Sequence, residues 1–229
     1  MKVAILQSNY IPWKGYFDII NMVDVFVIYD DVQYTKNDWR NRNIIKTKDG
    51  KKWLTIPCRQ RNLNQQINET FVANSKWFIK HLNSFITNYS KSEYFKYYYP
   101  IIENLYHSSP KENLSEINVY FLKSIMKILD IQTEIKFVAD LEVYGEKTER
   151  LVGICTKLGA DVYLSGPAAR NYLQMDAFVR SNISVEWMDY SGYPEYTQLF
   201  PPFEHGITIL DLIFNTGPNA TKFMKSFGK

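Results

Sequence analysis

The sequence predicts an α/β protein with a parallel-sheet, Rossmann-like core and a helical insertion. Three observations carry that prediction. Residues 2–7 and 25–29 are short apolar runs on either side of a helix-length stretch at 14–23. A strand–helix–strand unit of that length has parallel strands and a right-handed crossover. Residues 76–130 then adopt the helical period, and from 131 onward short strand and helix patterns alternate again.

Taken in order, "KVAIL" and "VFVIY" do not alternate polar with apolar residues, so each reads as a strand buried on both faces. Between them, "QSNYIPWKGYFDII" at 7–20 is a βα loop followed by its helix. Residues 43–47 and 52–57 form a hairpin through Asp49-Gly50, with Pro57 ending the second strand or lying at an edge. In the insertion, Trp77, Phe78, His81, Leu82, Phe85 and Tyr89 recur on one helical face, and Leu114, Ile117, Phe121, Ile125 and Ile128 on another. Pro100 and Ser109-Pro110 punctuate roughly three helices, with 94–99 a helix or a connector. The sheet resumes at 133–138. A helix at 147–159 stops at Gly159, a natural C-terminal cap. A strand at 160–166, a short helix at 168–178, a last strand at 184–189 and a short helix at 208–215 halted by Gly217-Pro218 complete the pattern. Residues 221–229 are expected to fray. The expected division is 1–75 and 131–229 for the two halves of the core, the second ending in a C-terminal helix, and 76–130 for the insertion.

Composition narrows the function. A net charge of +3 is too small for an electrostatic nucleic-acid binder, which carries a basic stripe. An aromatic content of 16% is high, so stacking surfaces are available. Cys58 and Cys155 form neither a CxxC pair nor a metal-like spacing, and both read as buried hydrophobes. No metal site is expected, and no secretory segment or membrane-spanning run is visible, which points to a reduced cytoplasm. Oligomeric state, a homo-oligomer included, is left open.

Candidate site residues gather in loops behind strands, where ligands of open parallel sheets collect. The first loop offers Gln7, Tyr10, Trp13, Gly15 and Tyr16: a glycine at a helix start, where amides can meet an anion, and rings that can pack on a base or sugar. Its alternative role is to cover the sheet edge. The second, at 30–43, interleaves Asp30 and Asp31 with Gln33, Lys36, Trp39, Arg40, Asn41, Arg42 and Asn43, and Lys46 follows in the hairpin. Guanidinium forks suit phosphate and amides suit bases or hydroxyls, a mixture fit for a nucleotide sugar, unless it is merely a solvated face. One of the two aspartates can serve as a base or hold Mg²⁺. "YLSGPAARNYL" at 163–173 adds Ser165, Gly166 and Arg170, in what is otherwise ordinary turn chemistry. His205 is the only histidine expected in a loop and is a workable acid or base.

The spacing of the first loop resembles the HUP superfamily of nucleotidyltransferases and class I synthetases. The histidines of the nucleotidyltransferase motif are absent, with Pro12 and Tyr16 roughly in their places. More specifically, "ILQSNYIPWKGYFDII", "DVFVIYDDVQYTKNDWRNRN", "WLTIPC", "YLSGPAARNYL" and "HGITILDLIFNTGPNA" together resemble the WbqC-like family over nearly the whole chain. Many relatives have Gln-Pro where this chain has Gln7-Ser8. The resemblance implies a bacterial protein of surface-polysaccharide (O-antigen) biosynthesis, acting on a nucleotide-linked amino sugar. The expected reaction places an acyl or aminoacyl group, such as glycine, on the sugar amine. The donor is a small acyl or amino-acid compound, and a ligase of this kind would use ATP with Mg²⁺. In this expectation Asp30, Asp31 or His205 takes the ammonium proton. A degenerate nucleotidyltransferase and a non-catalytic nucleotide-sugar or glycan-binding module are the alternatives.

Overall fold

A computed structural model of the chain describes residues 1–228. Strand β1 (Lys2–Leu6) leads through a long loop to α1 (Lys14–Asn21) and β2 (Val25–Ile28). A hairpin, β3 (Arg42–Thr47) and β4 (Gly50–Thr55), turns at Gly50, whose φ of 103° favours glycine. A second ribbon pairs β5 (Cys58–Arg59) with β6 (Phe71–Val72). Three helices follow, α2 (Trp77–Tyr89), α3 (Phe95–Ser108) and α4 (Leu114–Ile128). The chain then alternates through β7 (Glu134–Phe137), α5 (Lys147–Leu158), β8 (Val162–Ser165), α6 (Met175–Arg180) and β9 (Ser184–Trp187), and ends with α7 (Ile209–Thr216) and a 3-10 turn at Gly217–Phe223.

Five strands make one parallel sheet in the order β7-β2-β1-β8-β9. The chain steps outward from β1 to β2 to β7, then returns to lay β8 on the other side of β1. That reversal creates a switch point between β1 and β8, the place in open parallel sheets where ligands commonly bind. The core is therefore a parallel Rossmann-like α/β core, and everything from β3 to α4 is carried on the crossover between β2 and β7.

Strand alternation divides the hydrophobic residues between the two faces of the sheet. Ala4, Phe26, Ile28 and Leu164 join the core built with α1, α4 and the insertion, whereas Val3, Ile5, Val25, Val27 and Tyr163 pack with α5 and α6. Helix α7 docks into the insertion, with Phe214 within 6 Å of the rings of Phe85, Tyr89 and Phe95.

Some expected boundaries move. Pro100 lies inside α3 rather than ending it, because a proline that far from the N-terminus removes one hydrogen bond while the buried Phe95, Tyr98, Ile102 and Tyr106 hold the helix to the core. The expected helix at 168–178 is split into a 3-10 turn at Pro167–Asn171 and α6. The C-terminal segment is tied down as far as Ser226: the Lys225 and Ser226 amides both donate to buried Asp18, at 3.0 and 2.9 Å. Lys229, the end of the stretch expected to fray, lies outside the described residues. No helix among the described residues is long and apolar enough to cross a membrane.

Candidate functional site

Behind β1, two loops and a distant segment close around a cavity of about 260 Å³ lined by Asn9, Pro12, Trp13, Trp39, Asn43 and Gly206. The first loop supplies one wall, residues 39–43 the second and the approach to α7 the third. Trp13 leans on Tyr190 and Tyr193, which follow β9, at ring distances of 5.1 and 5.6 Å. Trp39 packs on Trp53 at 5.2 Å, and both indoles are 40% exposed. The cavity thus has two indole walls and a few polar atoms, a surface suited to the face of a sugar or base.

Behind that wall the first loop is strained at the buried Ile11. Ile11 has φ 35°, a conformation that a β-branched residue avoids. Neighbours fix it there: the Asn43 amide donates to the carbonyls of Tyr10 and Ile11 at 2.9 and 3.0 Å, and the Thr208 hydroxyl donates to Ile11 at 2.8 Å. The Tyr10 amide donates to Trp39, and the Ile209 amide to Pro12. Strain held by so many bonds is characteristic of functional loops.

The two aspartates are spent on architecture. Asp30 is buried and accepts from the Ser8 amide at 2.7 Å, the Ser8 hydroxyl at 2.6 Å and the Ser115 hydroxyl. Burial raises its carboxyl pKa, although these bonds pull the other way. It ties the first loop to α4, and Asn118 adds a bond to the Arg40 carbonyl. Asp31 faces the other way and pairs with Arg150.

The other expected site residues fall into three groups. Trp13, Trp39 and Asn43 line the cavity. Several support it from within. Tyr10 is fully buried, bonded to His81 Nδ1 at 2.9 Å and to Tyr106, so its ring serves the core rather than the cavity. Tyr16 is packed on Phe26 and donates to the Gln7 carbonyl at 2.7 Å. A Cβ on Gly15 would lie 2.3 Å from the Trp13 indole, so that ring covers the helix start expected to meet an anion. Asn41 donates to the Ile56 carbonyl, and Lys46 reaches the Pro202 carbonyl. Others lie outside the lining: Gln33 donates to the Leu63 carbonyl, Lys36 is exposed and Arg40 pairs with Asp38 at 2.7 Å. Arg42 stacks on Trp53 at 3.9 Å, and among the described residues its guanidinium has no carboxylate partner. Ser165 bonds Tyr163, Gly166 faces open space and Arg170 lies over Trp187, all apart from the cavity lining.

His205 adjoins Gly206 at the rim. It is exposed, 4.6 Å from the Phe203 ring, and its pKa is lowered by partial burial and by the nearby Lys14 ammonium. Lys14 itself was invisible to pattern reading. It is 3% exposed, donates to the Pro194 carbonyl at 3.0 Å and faces the rings of Tyr193, Tyr196 and Phe203. Burial lowers its pKa to about 8. Asn9, Trp53 and Gly206 were also unforeseen. Asn9 belongs to the first candidate loop, but Trp53 and Gly206 lack any local signal.

A nucleoside triphosphate fits the first loop poorly. The Ser8 amide is occupied by Asp30, the Tyr10 amide by Trp39, and the α1 start by the Trp13 indole, while the cavity lining contains no cation. A phosphate there would meet the Asp30 carboxylate. Among the described residues no group of three or more His, Cys, Asp or Glu side chains is assembled as a metal site.

Comparison with known proteins agrees with the motifs. No solved structure matches the chain significantly. A Mycobacterium tuberculosis protein described as "Uncharacterized protein Rv1507c" is 43% identical over 225 residues, covering 98% of this chain and 97% of its own. The model of the WbqC-like protein family matches residues 7–223, and the chain therefore belongs to that family.

Proposed function

We propose that the protein is an N-acyl or aminoacyl transferase that forms an amide on the amine of a nucleotide-linked amino sugar, with the sugar held in the Trp13–Trp39 cavity. The observation that carries the reading is this paired-indole cavity with the exposed His205 next in the chain to its lining residue Gly206. The outer Trp39–Trp53–Arg42 surface suits the nucleotide, with the indoles for the base and Arg42 for a phosphate. His205 acts as the base, since partial burial and then the nearby Lys14 charge favour its neutral form. The sugar amine attacks the acyl carbonyl carbon, the carrier leaves with the bonding electron pair, and the ammonium proton passes to His205. The poor fit of a triphosphate in the first loop favours a donor activated beforehand over activation by ATP.

Mass spectrometry of a dTDP-linked 4-amino sugar incubated with acyl-CoA donors, and in parallel with Mg-ATP and amino acids, tests this. A mass gain on the sugar nucleotide is expected with the carrier-bound donor. His205→Gln should lower kcat about tenfold or more with little change in KM, and Trp39→Ala should chiefly raise KM. No gain in either tube while calorimetry still detects sugar-nucleotide binding would replace the transferase with a binding module.

A further inference from the structure

The β5–β6 ribbon and the α3–α4 connection enclose a second groove of about 500 Å³ that shares no lining residue with the first. Arg59 and Arg61 stand along one side and Lys111 on the lining beyond them, against a single carboxylate, Glu112. Among the described residues the arginine ion pairs are those of Arg40, Arg150 and Arg180, so neither groove guanidinium is neutralised within the protein.

The backbone carrying these cations is fixed. Gln65 is 4% exposed and bridges it: its amide nitrogen donates to the Arg59 carbonyl at 3.0 Å and to Thr70 at 2.8 Å, and its oxygen accepts from the Arg61 amide at 2.8 Å. On the facing side the Val72 amide donates to the Glu112 carbonyl at 2.7 Å, joining ribbon to connection. Lys111 is anchored by the Tyr106 carbonyl and the Ser109 hydroxyl. Phe71, the cross-strand partner of Arg59, is 37% exposed, with the Arg61 guanidinium 5.8 Å from its ring.

Two unpaired guanidiniums two residues apart can fork onto phosphate oxygens, and a partly exposed ring beside them suits a flat or apolar group. The volume accommodates one small molecule. We propose that the Arg59–Arg61–Phe71 groove is a binding site for a small phosphate ester, with the phosphate between the arginines and the organic part over Phe71. This site is independent of the reading of the first cavity.

Phenyl phosphate and inorganic phosphate, titrated separately while backbone amide shifts are followed by NMR, test the proposal. Shifts are expected at 59–61 and 71–75, and R59Q/R61Q should weaken both probes about tenfold or more. Phe71→Ala should weaken phenyl phosphate several-fold and leave inorganic phosphate unchanged. Because the three side chains are exposed, an unchanged thermal midpoint will show that the variants fold. Shifts confined to residues 39–43, no shifts at millimolar probe, or equal binding by the double variant would each overturn the proposal. A Phe71→Ala variant that binds phenyl phosphate normally would overturn the role of the ring.

Discussion

Gly15 illustrates how a residue's visible chemistry can mislead. A glycine at a helix start suggests room for an anion, but here the space above it is filled by the protein's own Trp13 indole. Gly15→Ala should push that indole from its position in the cavity wall. The expected result is a loss of sugar-nucleotide affinity of about tenfold, or 1.4 kcal/mol, read by calorimetry. Asp30 is a second case. Its place at a strand end is legible in the sequence, yet its partners, Ser8 and Ser115, lie 22 and 85 residues away, so its commitment to them is not. Lys14 is a third, since the rings that enclose it come from 193–203.

At the level of elements, the five sheet strands, the β3–β4 hairpin and most helices are legible because each depends on its own local pattern, whereas the two-residue strands of the β5–β6 ribbon are too short to carry one. Helix α4 shows how such an element is joined to the rest. Asn113 caps it, its side-chain oxygen accepting from the Glu116 amide at 3.1 Å while its nitrogen donates to the Asn68 carbonyl at 2.7 Å. Asn113→Ala should remove both bonds and cost about 1–2 kcal/mol, visible as a fall in the thermal midpoint of roughly 2–8 °C. Because α4 also supplies Ser115 to Asp30, the same variant should loosen the first loop. Pro100 is less legible: a proline signals an ending locally, and only the buried face of α3 overrides it.

For the whole molecule, two buried groups set opposing pH dependences. His81 is held neutral, its pKa lowered to about 4 by burial, so the unfolded chain takes up a proton first as pH falls below about 6.5. The stability it supports is complete above 6.5 and lost between 6.5 and 4. Asp211 is the reverse. Burial raises its pKa to about 6 although the hydroxyls of Tyr89 and Tyr196 donate to it, so the folded chain keeps a proton that the unfolded chain releases above about 4. Its contribution therefore falls as pH rises from 4 to 6. Each slope is at most about 1.4 kcal/mol per pH unit, and between pH 4 and 6 they largely cancel. In denaturant titrations across that window, Asp211→Asn should make the slope of stability against pH more positive than in the parent protein, and His81→Gln should make it more negative. Unchanged slopes in both variants would show that neither group titrates as described.

The sequence by itself determined the parallel α/β core, the helical insertion and the family; of its three candidate loops, 7–16 and 30–43 contribute to one cavity lining and 165–170 does not. Core, insertion and family follow from local hydrophobic period, from turn residues and from ordered motifs, all of which survive in one dimension. Only the tertiary structure decided which polar side chains are spent. A carboxylate or lysine looks equally available in a sequence whether it meets a ligand or a buried serine. Whether Asp30 binds substrate or Ser8, and whether Arg59 meets a carboxylate or open water, depends on residues brought together from distant parts of the chain. Desolvation and hydrogen-bond partnership are properties of that assembled neighbourhood.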